Sequence, residues 1–187
     1  TKLRYLISDV KLYTVSGDSV SLGSYRLVDL TQPSTMSWSL GQADLGAYAG
    51  IGFNFGFDTV DNAGNYPDLN ITNWNWPMMI GGGYHNMQFE GRYKFNGNDS
   101  TYAYHNGTAS NMGNHHQNHI SVRLNGIALN EEYVSVNIDM NLAEWFKNPN
   151  VWDLNAMHSA LMMNYNAQIM MNQNGYNVFS LGNITQR

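Results

Sequence analysis

An all-β fold, an antiparallel β-sandwich with one C-terminal helix packed on it, is predicted by three observations. Short runs of β-branched and aromatic residues fill the first three quarters of the chain, and Gly, Asn, Asp and Ser interrupt them frequently. The last quarter then changes to Met, Ala and Leu at helical spacing. Many short strands with frequent turns favour antiparallel sandwiches or barrels over parallel sheets with crossover helices.

The strand signals run from Leu3 to Thr14, Ser24 to Leu30, Ala47 to Phe57, Tyr84 to Phe95, Thr101 to His105, Ile120 to Leu124 and Tyr133 to Met140. In the third, the period of two puts Ile51, Phe53, Phe55 and Phe57 on one face and Gly50, Gly52 and Gly56 on the other, so the glycine face is expected beneath another backbone or a close-packed aromatic. Asn155 is placed to cap a helix from Ala156 to Gln173 that stops at Asn174-Gly175. Met157, Ala160, Leu161, Asn164, Ala167 and Met171 form one stripe of it. A strand from Tyr176 to Leu181 closes the fold.

The 187 residues suit one domain spanning 1–187, and 43% hydrophobic content supplies a core despite the many asparagines. A net charge of -5 with nine Lys plus Arg leaves no basic field for a phosphate backbone, which argues against nucleic acid. There is no cysteine, hence no disulfide and no thiolate ligand. No apolar run approaches the ~20 residues of a membrane helix. Strand patterning starts at Thr1-Lys2-Leu3-Arg4, as though upstream sequence had been processed or left out.

The chemistry concentrates between Trp74 and His105, where imidazoles and thioethers lie beside paired tryptophans: Trp74, Trp76, Met78, Met79, His85, Met87 and His105. Imidazole and thioether suit Cu(I), so copper is the first hypothesis. A strand from Tyr84 would put His85 with Met87, Phe89, Tyr93 and Phe95 on the apolar side, and Tyr84, Asn86, Gln88 and Glu90 on the other. An isolated histidine there would be a core residue bonded to backbone or tyrosine. His105 ends a strand before the Asn106-Gly107 turn, where a scaffold can hold a ligand.

Trp74-Asn75-Trp76, Gly83-Tyr84, Glu90-Gly91 and Tyr104-His105-Asn106-Gly107-Thr108 together resemble the MbnP-like family of bacterial copper-binding proteins, related to MopE. Looser likeness extends to Leu3-Arg4-Tyr5-Leu6-Ile7-Ser8, Gly52-Phe53-Asn54-Phe55-Gly56 and Gly175-Tyr176-Asn177-Val178-Phe179. The gap from Pro77 to Gly82 departs from the family pattern by its length. The resemblance implies an exported protein, periplasmic or at the cell surface, that captures, stores or delivers copper and is not an enzyme. It also implies a site of His85, His105 and a tryptophan oxidised to kynurenine, Trp76 in preference to Trp74, with a diheme MauG-like peroxidase as the oxidising partner. If neither indole is altered, Met79 or Met87 would complete the coordination.

Other clusters have plainer readings. His115, His116 and His119 fall in a polar loop expected to be solvated, and the methionines after residue 156 suit core packing, with His158 and Met162 kept as reserve ligands one helical turn apart. Asp58, Asp61, Asn62, Gly64, Asn65 and Asp68 form an oxygen-rich turn without the EF-hand pattern. No nucleophile elbow, phosphate loop or dinucleotide fingerprint occurs. The rival function is an extracellular carbohydrate-binding or adhesion module that stacks sugars on Trp38, Trp74, Trp76, Trp145 and Tyr104, or a structural surface component.

Overall fold

The structure is a computed structural model that describes all 187 residues. Ten strands occur: β1 (Lys2–Thr14), β2 (Ser19–Asp29), β3 (Gly46–Phe55), β4 (Met87–Phe95), β5 (Asn98–Asn106), β6 (Ala109–Asn111), β7 (Asn114–His116), β8 (Ile120–Leu129), β9 (Val134–Met140) and β10 (Phe179–Gln186). The helices are a single turn, α1 (Pro67–Asn70), and α2 (Tyr165–Gly175). Every strand pairing is antiparallel, and the fold is a β-sandwich with the one substantial helix near the C-terminus.

β1 organises the main sheet, ordered β5-β4-β1-β3-β8, with β2 on the other edge of β1. One edge of β1 is shared: Lys2 to Tyr5 pair with β4, and Ile7 to Thr14 with β3. The two partners diverge at Leu6, whose N–H donates to Asn86 O and whose carbonyl accepts from Gly56 N–H. At this fork Gly56 has φ +88°, and a β-carbon on it would lie 2.0 Å from Asn86 Oδ1, so only glycine fits. Ser8 Oγ donates to Gly56 O and ties the fork together.

Both faces of β1 are covered. Leu3, Tyr5 and Ile7 meet the larger core, where Phe55, Met87, Phe89, Tyr104, Ile120 and Trp145 pack with Ala167 and Met171 of α2. Leu6 faces the opposite layer, with Phe57, Leu69, Trp74 and Tyr84. A register shift near Asp9, which has φ +50°, follows; beyond it Val10 and Leu12 pack with Ile51, Phe53 and Ile127 beneath β9 and β10. The bulge thus moves the inward phase of β1 from odd to even residues.

The glycine face of β3 is covered as expected: a β-carbon on Gly52 would lie 2.6 Å from the Tyr13 ring. Phe57 departs from the expectation. β3 ends at Phe55, Gly56 turns the chain, and Phe57 enters the opposite core layer. The expected helix from Ala156 is also corrected. Ala160 has φ +55°, and the 156–164 stretch holds only a 3-10 turn at Leu161–Met163, so His158 and Met162 do not lie one helical turn apart. Asn164 supplies the true cap, its side chain accepting from Ala167 N–H. Gln168 and Asn174 of α2 are buried as well, bonded to backbone carbonyls that include those of His105 and Trp145. Met157 and Leu161 pack in the larger core from a stretch that is not α-helical, which is why apolar spacing misplaced the start of the helix.

Trp145 is fully buried between Phe55, Tyr104 and Gly175. Trp145→Ala should therefore destabilise the protein by about 3–5 kcal/mol, read as a lower urea midpoint with little change in the strand signal of the native state.

Candidate metal centre

The chain between β3 and β4 builds one wall of the site. Trp74 and Trp76 are held by pairing with 83–85: Trp76 N–H donates to Gly83 O, and His85 N–H donates to Trp74 O. Buried Asn62 anchors the same turn, its Oδ1 accepting from Tyr84 N–H at 2.9 Å and its Nδ2 donating to Gln117. A β-carbon on Gly83 would lie 2.3 Å from Asn62, and one on Gly107 would enter the Trp76 ring at 2.4 Å. Two glycines thus let a tryptophan and a turn pack directly on backbone.

His85 is corrected in its orientation. Because Tyr84 and His85 pair with the 74–76 segment, the β4 alternation begins only at Met87 and does not extend back to His85. The His85 ring instead meets Trp76 at 4.9 Å, Trp74 at 5.5 Å and His105 at 5.3 Å between centroids. Met87 is corrected with it: it pairs opposite Asn106 and lies in the larger core, whereas His105 pairs opposite Gln88 and shares the other face with Glu90. Met79 is 80% exposed on the turn after Trp76, outside this box of rings. Trp74, Trp76, Trp145 and Tyr104 have at most 2% exposure, so the sugar-stacking platform proposed for them does not exist.

With metal–nitrogen bonds of about 2.0 Å, two imidazoles on one ion have ring centres no more than about 6.4 Å apart. The separation of His85 and His105 falls inside that limit. His105 Nε2 lies 2.9 Å from Glu90 Oε1, which also accepts from Lys2 at 2.9 Å. Burial lowers the His105 pKa, the contact with Glu90 opposing it; Glu90 is itself held below its ordinary value by Lys2 and His105 against the effect of burial. An ionised Glu90 only accepts, so a neutral His105 donates its Nε2–H there and keeps the Nδ1 lone pair free. His85 is pushed down to about 3, mainly by burial and further by His105, Lys2 and Arg4. Its Nδ1 is buried and has no hydrogen-bond partner.

Two neutral imidazoles side by side, one with an orphaned buried nitrogen and the other oriented by a carboxylate, fit a borderline or soft metal ion. No group of three or more His, Cys, Asp and Glu side chains is placed to hold an ion. A third ligand at this pair would have to be of another type. Nearby, Trp76 Nε1 donates to Ile80 O at 3.3 Å, whereas Trp74 Nε1 is buried without an acceptor, and the Arg4 guanidinium lies 4.9 Å over its ring.

A family model named MbnP matches residues 1–171. The chain belongs to the MbnP family. Among solved structures, MbnP from Methylosinus trichosporium is similar, with a TM-score of 0.54 and 14% identity over 97% of this chain and 86% of that one. At that identity the likeness to MbnP speaks for the fold. No curated protein matches the chain.

Several residues that shape the site escaped sequence reading. Asn62 was assigned to a polar turn, and Asn86 and Asn106, whose buried side chains bond each other at 2.8 Å, looked like two of many asparagines. The Glu90 contact depends on the β4–β5 register, which pairing alone reveals. His115 and His116 lie exposed on the β6–β7 hairpin, a regular element where a loop was expected, and half-buried His119 leaves its Nδ1 unpartnered.

His85 gives a pH signature. Its pKa falls from 6.5 in the unfolded chain to about 3 in the fold, so between those values the unfolded state binds the extra proton and acid favours unfolding. Above 6.5 the group contributes no pH dependence. Stability should decline as pH falls from 6.5, by up to about 1.4 kcal/mol per pH unit from this residue. Urea titrations at stepped pH should show the decline, and it should be shallower in His85→Gln.

Proposed function

We propose that the protein is an exported copper-binding protein that captures, stores or delivers Cu(I), and that it is not an enzyme. The supporting observation is the His85–His105 pair inside the wall of Trp74 and Trp76, with His85 Nδ1 unpartnered. Membership of the MbnP family supports copper as the metal. Exclusion of water and of protons keeps both imidazoles in the form that binds metal at neutral pH. No helix is long and apolar enough to cross a membrane, and the proposed location is the periplasm or the cell surface.

Two histidines leave an ion under-coordinated, and intact indole is a poor donor. The third ligand in this reading is Trp76 opened to kynurenine by a partner oxidase, a diheme MauG-like peroxidase; Trp74 is the alternative position. The opening removes one carbon and adds one oxygen, exposing an aromatic amine and a ketone. Trp76 is favoured because its ring centre is nearer to His85.

Copper content and peptide mass spectrometry across 74–92 test this reading together. Protein from the native host should carry copper and the kynurenine mass change at one tryptophan, while protein made without the oxidase should carry two intact indoles. Unaltered Trp74 and Trp76 in copper-loaded native protein would overturn the kynurenine ligand and leave the third position unassigned, since Met87 lies in the larger core and Met79 outside the box of rings. His85→Ala and His105→Ala should each lower Cu(I) affinity by at least about 100-fold, measured by competition with a chromophoric chelator. Unchanged affinity in both would remove the site.

A further inference from the structure

A site that accepts a cation has two fixed cations on its border. The registers of β1, β4 and β5 set Arg4, Gln88 and His105 in one cross-strand row, with Lys2 and Glu90 in the next row on the same face. Glu90, the carboxylate that touches His105, is divided between His105 and Lys2 at 2.9 Å each. Arg4 belongs to none of the molecule's ion pairs. Asp29 stands opposite it on β2, on the side of β1 away from β4, and bonds Thr31 instead.

The guanidinium is held in place. Its Nη2 donates to Thr72 O at 3.0 Å, its Nε is buried without a partner, and its central carbon lies 4.9 Å over the Trp74 ring. The His85 ring meets the same indole, which is fully buried, at 5.5 Å between centroids. Arg4 therefore stands within about 10 Å of the His85 imidazole, in surroundings where little water screens the interaction. We propose that Arg4, with Lys2 beside it, sets the charge of the ion that the His85–His105 pair accepts, admitting a monovalent cation and rejecting divalent ones. The inference rests on the reading of that pair as a copper site.

Imidazole donors do not make this choice by themselves, because they suit zinc and either oxidation state of copper. A fixed charge does, because it acts on an ion in proportion to the ion's own charge. At an effective dielectric of about 20 and a separation of about 10 Å, one positive charge weakens binding by on the order of tenfold for a monovalent ion and roughly a hundredfold for a divalent one. Lys2 acts in the same direction but less, since its side chain is 39% exposed and its charge is partly met by Glu90. The imidazoles thus fix the type of metal, and the cations beside them fix its charge.

The test compares Ag(I), a redox-inert analogue of Cu(I), with Zn2+, both added as nitrates to the intact protein, with His85→Ala as the blank for ions held elsewhere. Arg4→Gln should lower the ratio of Ag(I) to Zn2+ affinity by on the order of tenfold, chiefly by tightening Zn2+, and Arg4→Lys should keep the native ratio. A merely structural role for Arg4 would weaken both ions alike and leave the ratio unmoved. Circular dichroism checks the strand content, and if Arg4→Gln does not fold, Lys2→Gln at the half-exposed rim takes its place, the ratio falling in the same direction. A ratio unchanged in the folded variant, or one that falls equally in Arg4→Lys, would overturn the proposal. Failure of the copper reading is distinguishable: Ag(I) affinity would then be the same in His85→Ala and His105→Ala as in the native protein.

Discussion

The position of His85 is set by backbone hydrogen bonds at a fork in the sheet. Leu6 bonds in both directions, to Asn86 and to Gly56, exactly where β3 and β4 leave the same edge of β1. A strand that splits its edge between two neighbours opens a wedge, and the 57–84 segment fills that wedge with Phe57, Leu69, Trp74 and Tyr84. His85 then emerges next to His105 because Asn86 N–H is already committed to Asn106 O. Buried backbone groups must be paired, so this placement is difficult to relax without losing several bonds together.

Electrostatics follows from the placement. His85, packed against two indoles, and His105, packed against His85, are both hard to charge, and Glu90 compensates only His105, from the rim where Lys2 also reaches it. The outcome is an asymmetric pair, one imidazole oriented by a carboxylate and the other held by packing. Asymmetry of this kind leaves nitrogen lone pairs directed by structure, with little reorganisation required when an ion arrives.

How much of this was legible in the sequence varied with the range of the interaction. The β-sandwich, the positions of the longer strands and the glycine face of β3 followed from local patterning, since period two is a property of neighbouring residues, whereas the short β6–β7 hairpin did not. His85, His105, Trp74 and Trp76 could be grouped because they crowd into 32 residues and match a family motif. Their orientation could not: the phase of His85 depends on pairing with the 74–76 segment, and that pairing overrode the alternation of β4. The start of α2 is displaced for a related reason: Met157 and Leu161 join the same core as Ala167 and Met171 from a stretch that is not α-helical, so their spacing imitates a helix stripe that tertiary packing alone produces. Met87 was grouped with the histidines by sequence proximity, and the sheet separates them by one face.

Arg4 has a consequence for the two tryptophans. Its guanidinium lies 4.9 Å from the Trp74 ring centre, and Arg remains charged at any accessible pH. Removing an electron from that indole would place positive charge beside positive charge, at a cost of about 3 kcal/mol for an effective dielectric of about 20. No cation lies over Trp76, and its indole N–H is already directed at a carbonyl, which stabilises a developing positive charge. A one-electron oxidant acting from outside would therefore see two neighbouring indoles of unequal potential, with the hole settling on Trp76.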